Sequence, residues 1–214
     1  MIFTELAQAI WVSLKTSGAA AIIASAMAVP LALFLSANEF PGKRFLLLLN
    51  QTWMAAPTVV IGLLLYFLLS RTGPLGSFGL LYSQTAMTMG QTILILPLII
   101  GFAYTALSQV DARARITALS LGASPAQAGW MVMKEAAFPL LVAILAGFAR
   151  AISEVGVAMM LGGNIRGYTR NITTAIALES SKGEFMSGVI LGVILLSLTL
   201  GINLLVNLGL RSRD

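Results

Sequence analysis

Long uncharged apolar segments, separated by short charged or glycine-rich ones, make up most of the chain. A helix needs about 20 mostly apolar residues to cross about 30 Å of hydrocarbon. Four uncharged runs exceed that length, and they lie between Lys15 and Glu39, Arg44 and Arg71, Arg71 and Asp111, and Glu184 and Arg211. A fifth segment is apolar apart from Arg150 and Glu154. The pattern predicts five transmembrane helices, at about residues 16–38, 45–70, 84–107, 136–162 and 185–210.

The composition excludes an ordinary water-soluble domain. Hydrophobic residues make up 58% of the chain, charged residues make up 10%, and the mean hydropathy is +0.92. Soluble domains instead have about 45–50% apolar and about 25% charged residues. We therefore expect an all-α, polytopic membrane protein with a single transmembrane domain over residues 1–214. Pro57 and Pro97 fall inside the second and third predicted helices, where each should bend its helix.

The residue types that are missing argue against an enzyme. Cysteine and histidine are both absent, which excludes the usual zinc sites and a Ser-His-Asp triad. Glu154 is a lone carboxylate within the predicted membrane segments, so a membrane-embedded active site lacks partners. The chain also has no Gly-x4-Gly-Lys-Ser/Thr phosphate loop and cannot hydrolyse ATP by that route. We expect no catalytic residue, no metal site and no cofactor bound by this chain.

The basic residues predict the orientation in the membrane. The net charge is +5, and in a membrane protein such an excess marks loops that face anionic lipid rather than nucleic acid. Lys43 with Arg44, and Arg211 with Arg213, lie directly at the ends of predicted helices. Because cytoplasmic loops carry more Lys and Arg, these ends and the segment 108–135 should be cytoplasmic. The protein then lies in the cytoplasmic membrane, with its N-terminus on the outer side and its C-terminus in the cytoplasm.

The segment 108–135 is too patterned for a simple connection and predicts two short helices. Asp111 and Arg115 are four residues apart and should pair on one face of the first helix. That helix should stop at Gly122, since glycine commonly ends helices.

The second short helix has a recognisable start. Ser124 as N-cap, Pro125 at the first helical position and Gln127 at the third form a capping box with proline. A solvated hairpin that only joins two spans is one interpretation. The apolar Trp130, with Met131 and Met133, favours the other, in which the segment meets a partner or the membrane interface.

The string Ala118-Leu119-Ser120-Leu121-Gly122-Ala123-Ser124 resembles the cytoplasmic coupling loop of permease subunits in binding-protein-dependent ABC importers. The family motif opens with Glu-Ala-Ala, where this chain has Ile116-Thr117-Ala118. On this resemblance the ATPase-coupling residues are Thr117, Ala118, Leu121, Gly122, Ala123, Ser124, Pro125 and Trp130.

Further strings narrow the resemblance to the tungstate importer permeases, which are related to molybdate and sulfate permeases. They are residues 40–44, 70–76, 152–156, 162–165 and 170–176. The resemblance implies a type I ABC importer permease fold and a homodimer. It also implies separate cytoplasmic ATPase subunits that use ATP and Mg, and an extracytoplasmic substrate-binding protein. The alternatives are a permease for molybdate or another small anion, and a stand-alone secondary transporter.

Two charged residues lie inside the fourth predicted helix. Arg150 and Glu154 are four apart, and each charge near the bilayer centre costs about 2.5–3.5 kcal/mol on insertion scales. They must therefore face protein or water. Either they compensate each other within the helix, or they lie on the translocation path or the dimer seam, where Gly163 and Asn164 are further candidates.

Cations beyond the fourth helix predict an anionic cargo. Arg166 and Arg170 flank the glycine-rich turn at 162–164, where they could attract an oxyanion or dock the binding protein, and contact with lipid headgroups is an equal alternative. Together with Lys182 they outnumber the acidic residues of this segment, Glu179 and Glu184. A compact oxyanion suits such polar, shallow surroundings better than a sugar, a peptide or a lipid.

Overall fold

The computed structural model describes residues 2–211, without the side chains of residues 2, 3, 112 and 205–211. Within this range the chain is helical, and Arg213 of the predicted inner basic cluster lies outside the described residues. The helices are α1 (Ile2–Ala37), α2 (Lys43–Met54), α3 (Thr58–Leu69), α4 (Gln84–Ser108), α5 (Ala112–Ser120), α6 (Pro125–Glu135), α7 (Ala137–Ile152), α8 (Gly156–Gly162), α9 (Ile172–Ser181) and α10 (Phe185–Arg211).

The centre of the bundle is the contact between α1 and α4. Small side chains at every fourth position of α1 are fully buried, namely those of Ala20, Ala24, Ala28 and Ala32. Such a stripe lets two helices approach closely, which is how membrane helices gain packing energy when lipid is as apolar as the protein. On its other side α4 packs against α7, where a side chain at Gly147 would lie 2.6 Å from Ile99 Cδ1. Helix α4 is thus enclosed by neighbours and positions the rest.

The single-helix predictions hold for some of the segments. Helices α4 and α10 begin at Gln84 and Phe185, the first residues of the third and fifth predicted segments. Helix α1 begins well before the predicted residue 16, because Lys15 is exposed and does not interrupt the helix. By length and composition α1, α4 and α10 could each cross a membrane, and two bent pairs bring the number to as many as five.

The second and fourth predicted helices are each divided into two. In the second the break falls at the predicted bend, whereas the break in the fourth was not predicted. Helices α2 and α3 meet at 96°, with Pro57 in an extended conformation before α3. Proline has no N–H to donate to the preceding turn, so a helix breaks readily there. The fourth segment ends as α7 at Ile152 and resumes as α8 at Gly156. Pro97, in contrast, lies within an unbroken α4.

The sequence pattern does not predict α9, since residues 163–184 lie between the fourth and fifth predicted transmembrane helices. Asn171 caps it, accepting a hydrogen bond from the Thr174 N–H at 2.8 Å, and the Thr174 hydroxyl bonds back to the Asn171 N–H at 3.0 Å. Its first turn is buried, and Ser13 of α1 accepts a hydrogen bond from the Ile172 N–H at 2.9 Å. The helix is therefore held by a local cap and by packing against α1.

The connections gather at two polar ends of the bundle. At one end Arg115 of α5 donates to the Ala37 carbonyl at 2.8 Å, which brings the end of α1 beside α5 and α6. At the other end Arg166 pairs with Glu5, and the Gln84 amide donates to the Tyr168 carbonyl at 2.6 Å. We call these the coupling end and the opposite end.

Candidate coupling surface and translocation path

The turn between α5 and α6 has the geometry that its sequence predicts. Gly122 adopts a left-handed conformation with φ 90°. Its N–H donates to the Leu119 carbonyl, and the Ala123 N–H donates to the Ala118 carbonyl, each at 3.0 Å. This hydrogen-bond pattern closes a helix end and satisfies its last carbonyls. The predicted stop at Gly122 is confirmed.

The predicted capping box of α6 is also confirmed. The Ser124 hydroxyl accepts a hydrogen bond from the Gln127 N–H at 3.3 Å, and the Gln127 side chain accepts one from the Ser124 N–H at 2.8 Å. Pro125 occupies the first turn. Two adjacent local motifs therefore fix how α5 and α6 follow each other.

The predicted ion pair between Asp111 and Arg115 is absent among the described residues. Asp111 instead caps α5, accepting a hydrogen bond from the Arg113 N–H at 2.9 Å. The cap orients the Asp111 carboxylate toward the first turn of α5 and not toward Arg115. Arg115 is left to bind the Ala37 carbonyl, and so fastens α5 to the end of α1.

Helices α5 and α6 bury one face and expose apolar side chains on the other. Val132 of α6 is buried, and a side chain at Gly129 would lie 3.2 Å from Leu33 of α1. Leu121 is 83% exposed and Trp130 is 58% exposed. Of the predicted coupling residues, Ala118 and Ala123 are half-buried, and the exposed ones are Thr117, Leu121, Gly122, Ser124, Pro125 and Trp130. This face has the character of a contact surface.

Arg150 and Glu154 pair with each other within the chain, as expected if the two charges compensate each other. Arg150 Nη1 lies 2.8 Å from Glu154 Oε2, and the side chains are 39% and 3% exposed, respectively. Glu154 follows the end of α7, and its other oxygen accepts a hydrogen bond from the Val157 N–H at 3.2 Å. The Thr173 hydroxyl donates to the Glu154 carbonyl at 2.8 Å. The pair therefore joins α7, α8 and α9 at the helix break.

The turn after α8 is held by its own hydrogen bonds. Gly163 and Asn164 both have left-handed backbones, with φ 69° and 51°. Arg170 Nε donates to Asn164 Oδ1 at 3.1 Å, and Nη2 donates to the Asn164 carbonyl at 3.4 Å. Arg170 thus stabilises the turn, whereas Arg166 reaches Glu5 on α1 and keeps a side chain that is 57% exposed. The two arginines predicted to act together point to different partners.

A cavity at the opposite end contains two residues that the sequence analysis missed. It has a volume of about 670 Å³ and is lined by Leu63, Tyr66, Tyr82, Met159, Met160, Gly163 and Ile165. The hydroxyls of Tyr66 and Tyr82 are 3.3 Å apart, and this hydrogen bond raises the pKa of Tyr82. The two residues lie on α3 and on the loop before α4, and no periodic pattern in the sequence connects them. The described residues include no group of three or more side chains suited to hold a metal ion.

Comparison with known proteins gives the family. No protein-family model matches the chain. A probable anion ABC transporter permease protein of Haloferax volcanii is 40% identical over 208 residues, which cover 95% of this chain and 88% of the relative. The tungstate uptake system permease protein TupB of Peptoclostridium acidaminophilum is 37% identical, covering 91% of this chain and 85% of the relative. TupB of Campylobacter jejuni is 41% identical, covering 77% and 69%. The chain therefore belongs to the ABC transporter permeases for anions, the family that the sequence resemblance predicted.

Proposed function

We propose that this chain is the membrane-spanning subunit of an ATP-driven importer for tungstate. The observation that carries the proposal is the identity of 37–41% to two tungstate uptake permeases over most of this chain. Molybdate is the nearest alternative cargo, because tungstate and molybdate are both tetrahedral dianions.

The coupling end faces the cytoplasm in this proposal, with the N-terminus outside and the C-terminus inside. Lys43 and Arg44 lie at the start of α2, beside the loop after α1, and positive charge favours the cytoplasmic side. Separate ATPase subunits, which bind ATP and Mg, dock on the exposed face of α5 and α6. Leu121 and Trp130 are the apolar anchors, and the predicted coupling residues around Gly122 form the rest of the contact.

Movement of the docked ATPase reaches the membrane helices through two attachments of the coupling segment. Helix α6 packs on α1 through Gly129 and Val132, and Arg115 binds the end of α1. Helix α1 in turn packs along α4. A rigid coupling segment can therefore bias the whole bundle between outward-open and inward-open states.

Two copies of the chain enclose the path in this proposal. Helices α2 and α3 expose apolar side chains over most of their length, including Phe45, Leu48, Leu64 and Phe67. These side chains face a second copy or lipid. Arg150, Glu154, Gly163 and Asn164 are candidates for the path or the seam, with Arg150 offering the partly exposed charge. At the opposite end the exposed Arg166 is the better candidate for docking the binding protein, since Arg170 is engaged within its own turn.

Uptake by the complete complex in lipid vesicles tests the proposal. The chain, its ATPase and its binding protein should accumulate tungstate when ATP is supplied on the coupling side. Vesicles without the ATPase are the control, and uptake in them would instead indicate a secondary transporter. Accumulation of amino acids or metal cations, with no uptake of tungstate or molybdate, would contradict the cargo assignment.

A further inference from the structure

The cavity at the opposite end has mainly apolar walls and one polar feature. Leu63, Met159, Met160 and Ile165 contribute apolar side chains. Among the described lining residues, hydroxyl groups come from Tyr66 and Tyr82 alone. An anion that enters this cavity would find its side-chain hydrogen-bond donors at the tyrosine pair.

The position of Tyr82 is fixed by its backbone and by a glycine. Tyr82 has φ 62°, a left-handed conformation that residues other than glycine rarely adopt. Its N–H donates to the Leu161 carbonyl at 2.8 Å, which ties this loop to α8. A side chain at Gly163 would lie 2.6 Å from Tyr82 Cδ1, so only glycine admits the ring here. A strained residue persists when its surroundings impose it, and such residues cluster at ligand sites.

The hydroxyl pair has a donor to spare. Two phenol groups carry two O–H protons, and one mutual hydrogen bond uses one of them. Either oxygen can be the donor in the 3.3 Å contact. The second proton is then free to bind a ligand oxygen in the cavity. The bond with Tyr66 also raises the pKa of Tyr82, which favours the protonated phenol at that position.

We propose that Tyr66 and Tyr82 form a contact site for the tetrahedral oxyanion at the outer mouth of the translocation path. The inference rests on the proposed function for its cargo. Neutral donors suit a transport site, because an ion must bind well enough to enter and weakly enough to leave. An arginine at the same place would hold a dianion through charge-assisted hydrogen bonds that are about twice as strong.

Removal of the two hydroxyls tests the site in the complete importer. Tyr66→Phe and Tyr82→Phe keep the rings that pack on α8 and Gly163. Tyr168→Phe is the matched control, because Tyr168 is 48% exposed at the same end and does not line the cavity. With saturating tungstate-loaded binding protein, the double variant should transport about tenfold more slowly, as expected for a lost hydrogen bond to a charged ligand. The control should keep the parental rate. An unchanged rate in the double variant would overturn the proposal.

Protection of a single cysteine gives a readout that does not depend on transport. The chain has no cysteine, and Ile165 is 44% exposed on the cavity wall, so Ile165→Cys supplies a unique thiol. Tungstate should slow its reaction with a thiol reagent, whereas chloride at equal ionic strength should not. The same protection should be lost when Tyr66→Phe and Tyr82→Phe are added. Protection that survives both changes, or no protection in the parental background, would overturn the site.

Parallel labelling with molybdate and sulfate separates this inference from the cargo assignment. If the complex transports molybdate but not tungstate, the assignment of tungstate as the cargo is wrong. Tyrosine-dependent protection by molybdate would still support the oxyanion site.

Discussion

The ion pair between Arg150 and Glu154 should contribute very unequally through its two members. The Glu154 side chain is 3% exposed, and that of Arg150 is 39% exposed. Arg150→Met leaves a buried carboxylate that keeps its hydrogen bond from the Val157 N–H at 3.2 Å. Glu154→Gln leaves an arginine that already reaches the surface. We therefore predict that Arg150→Met destabilises the protein much more than Glu154→Gln does.

The expected magnitudes follow from burial. Breaking a buried pair by removing one partner costs about 3–5 kcal/mol. The low end, about 3 kcal/mol, applies to Arg150→Met because the Val157 N–H still stabilises the carboxylate. Glu154→Gln should cost about 1 kcal/mol, since the amide oxygen keeps that hydrogen bond and the partly exposed guanidinium can reach water in the proposed translocation path. The double variant leaves no unpaired buried charge and should also lose about 1 kcal/mol, so the coupling free energy is about −3 kcal/mol.

Thermal unfolding of the purified chain in detergent measures these differences. A loss of 1 kcal/mol corresponds to about 2–4 °C for a domain of this size. Arg150→Met should therefore lower Tm by about 6–12 °C, and the double variant by about 2–4 °C. The pair of Lys182 and Glu179, 2.8 Å apart with side chains 51% and 24% exposed, is a more accessible control that should show little coupling. Equal losses from the two single changes, or simple additivity in the double variant, would refute the reasoning.

Three further predictions concern the coupling turn, the orientation and the turn after α8. Gly122→Val should abolish ATPase binding while membrane insertion remains normal, because a branched side chain resists a φ of 90°. Gly122→Asn is the control, since asparagine tolerates that conformation better. Normal ATPase binding by the valine variant would contradict the prediction. A single cysteine at Phe78 should react with an impermeant reagent added outside intact cells, whereas one at Ala126 should react only after the membrane is opened. Labelling of Ala126→Cys from outside would reverse the orientation. Arg170→Gln removes the hydrogen bonds to Asn164 and should lower Tm by about 2–4 °C for each kcal/mol of stability lost. Arg166 has a side chain that is 57% exposed, so Arg166→Gln should slow uptake and leave Tm nearly unchanged.

Features encoded within a few residues were determined by the sequence itself. The capping box at Ser124 involves residues three apart, and the left-handed turn at Gly122 closes onto the preceding helical turn. The starts of α4 and α10 follow the change from glycine-rich or charged residues to an apolar run. Hydropathy and capping depend on neighbours along the chain, so they can be recognised without the fold.

Other features could be proposed from neighbouring residues, but their geometry or partners depend on contacts with distant parts of the chain. Pro57 predicted a bend, yet the 96° angle between α2 and α3 accompanies the packing of α3 on α8. There a side chain at Gly62 would lie 2.9 Å from the Met160 sulfur. Asp111 and Arg115 have pairing spacing, but the helix cap and the Ala37 carbonyl compete for them more effectively. Spacing gives what a side chain can reach, and tertiary packing decides which partner it meets.

The candidate oxyanion site depended on tertiary structure throughout. The family and its anionic cargo class could be inferred from short strings of the sequence, since those strings encode a local coupling turn and a polar loop. Tyr66 and Tyr82 meet only because α3, α8 and the loop before α4 converge on the Leu161 carbonyl and on Gly163. No periodicity, spacing or composition in the sequence predicts this pair of hydroxyl groups at one end of the bundle. It exists because helices distant in sequence pack side by side and bring their polar tips to a common end.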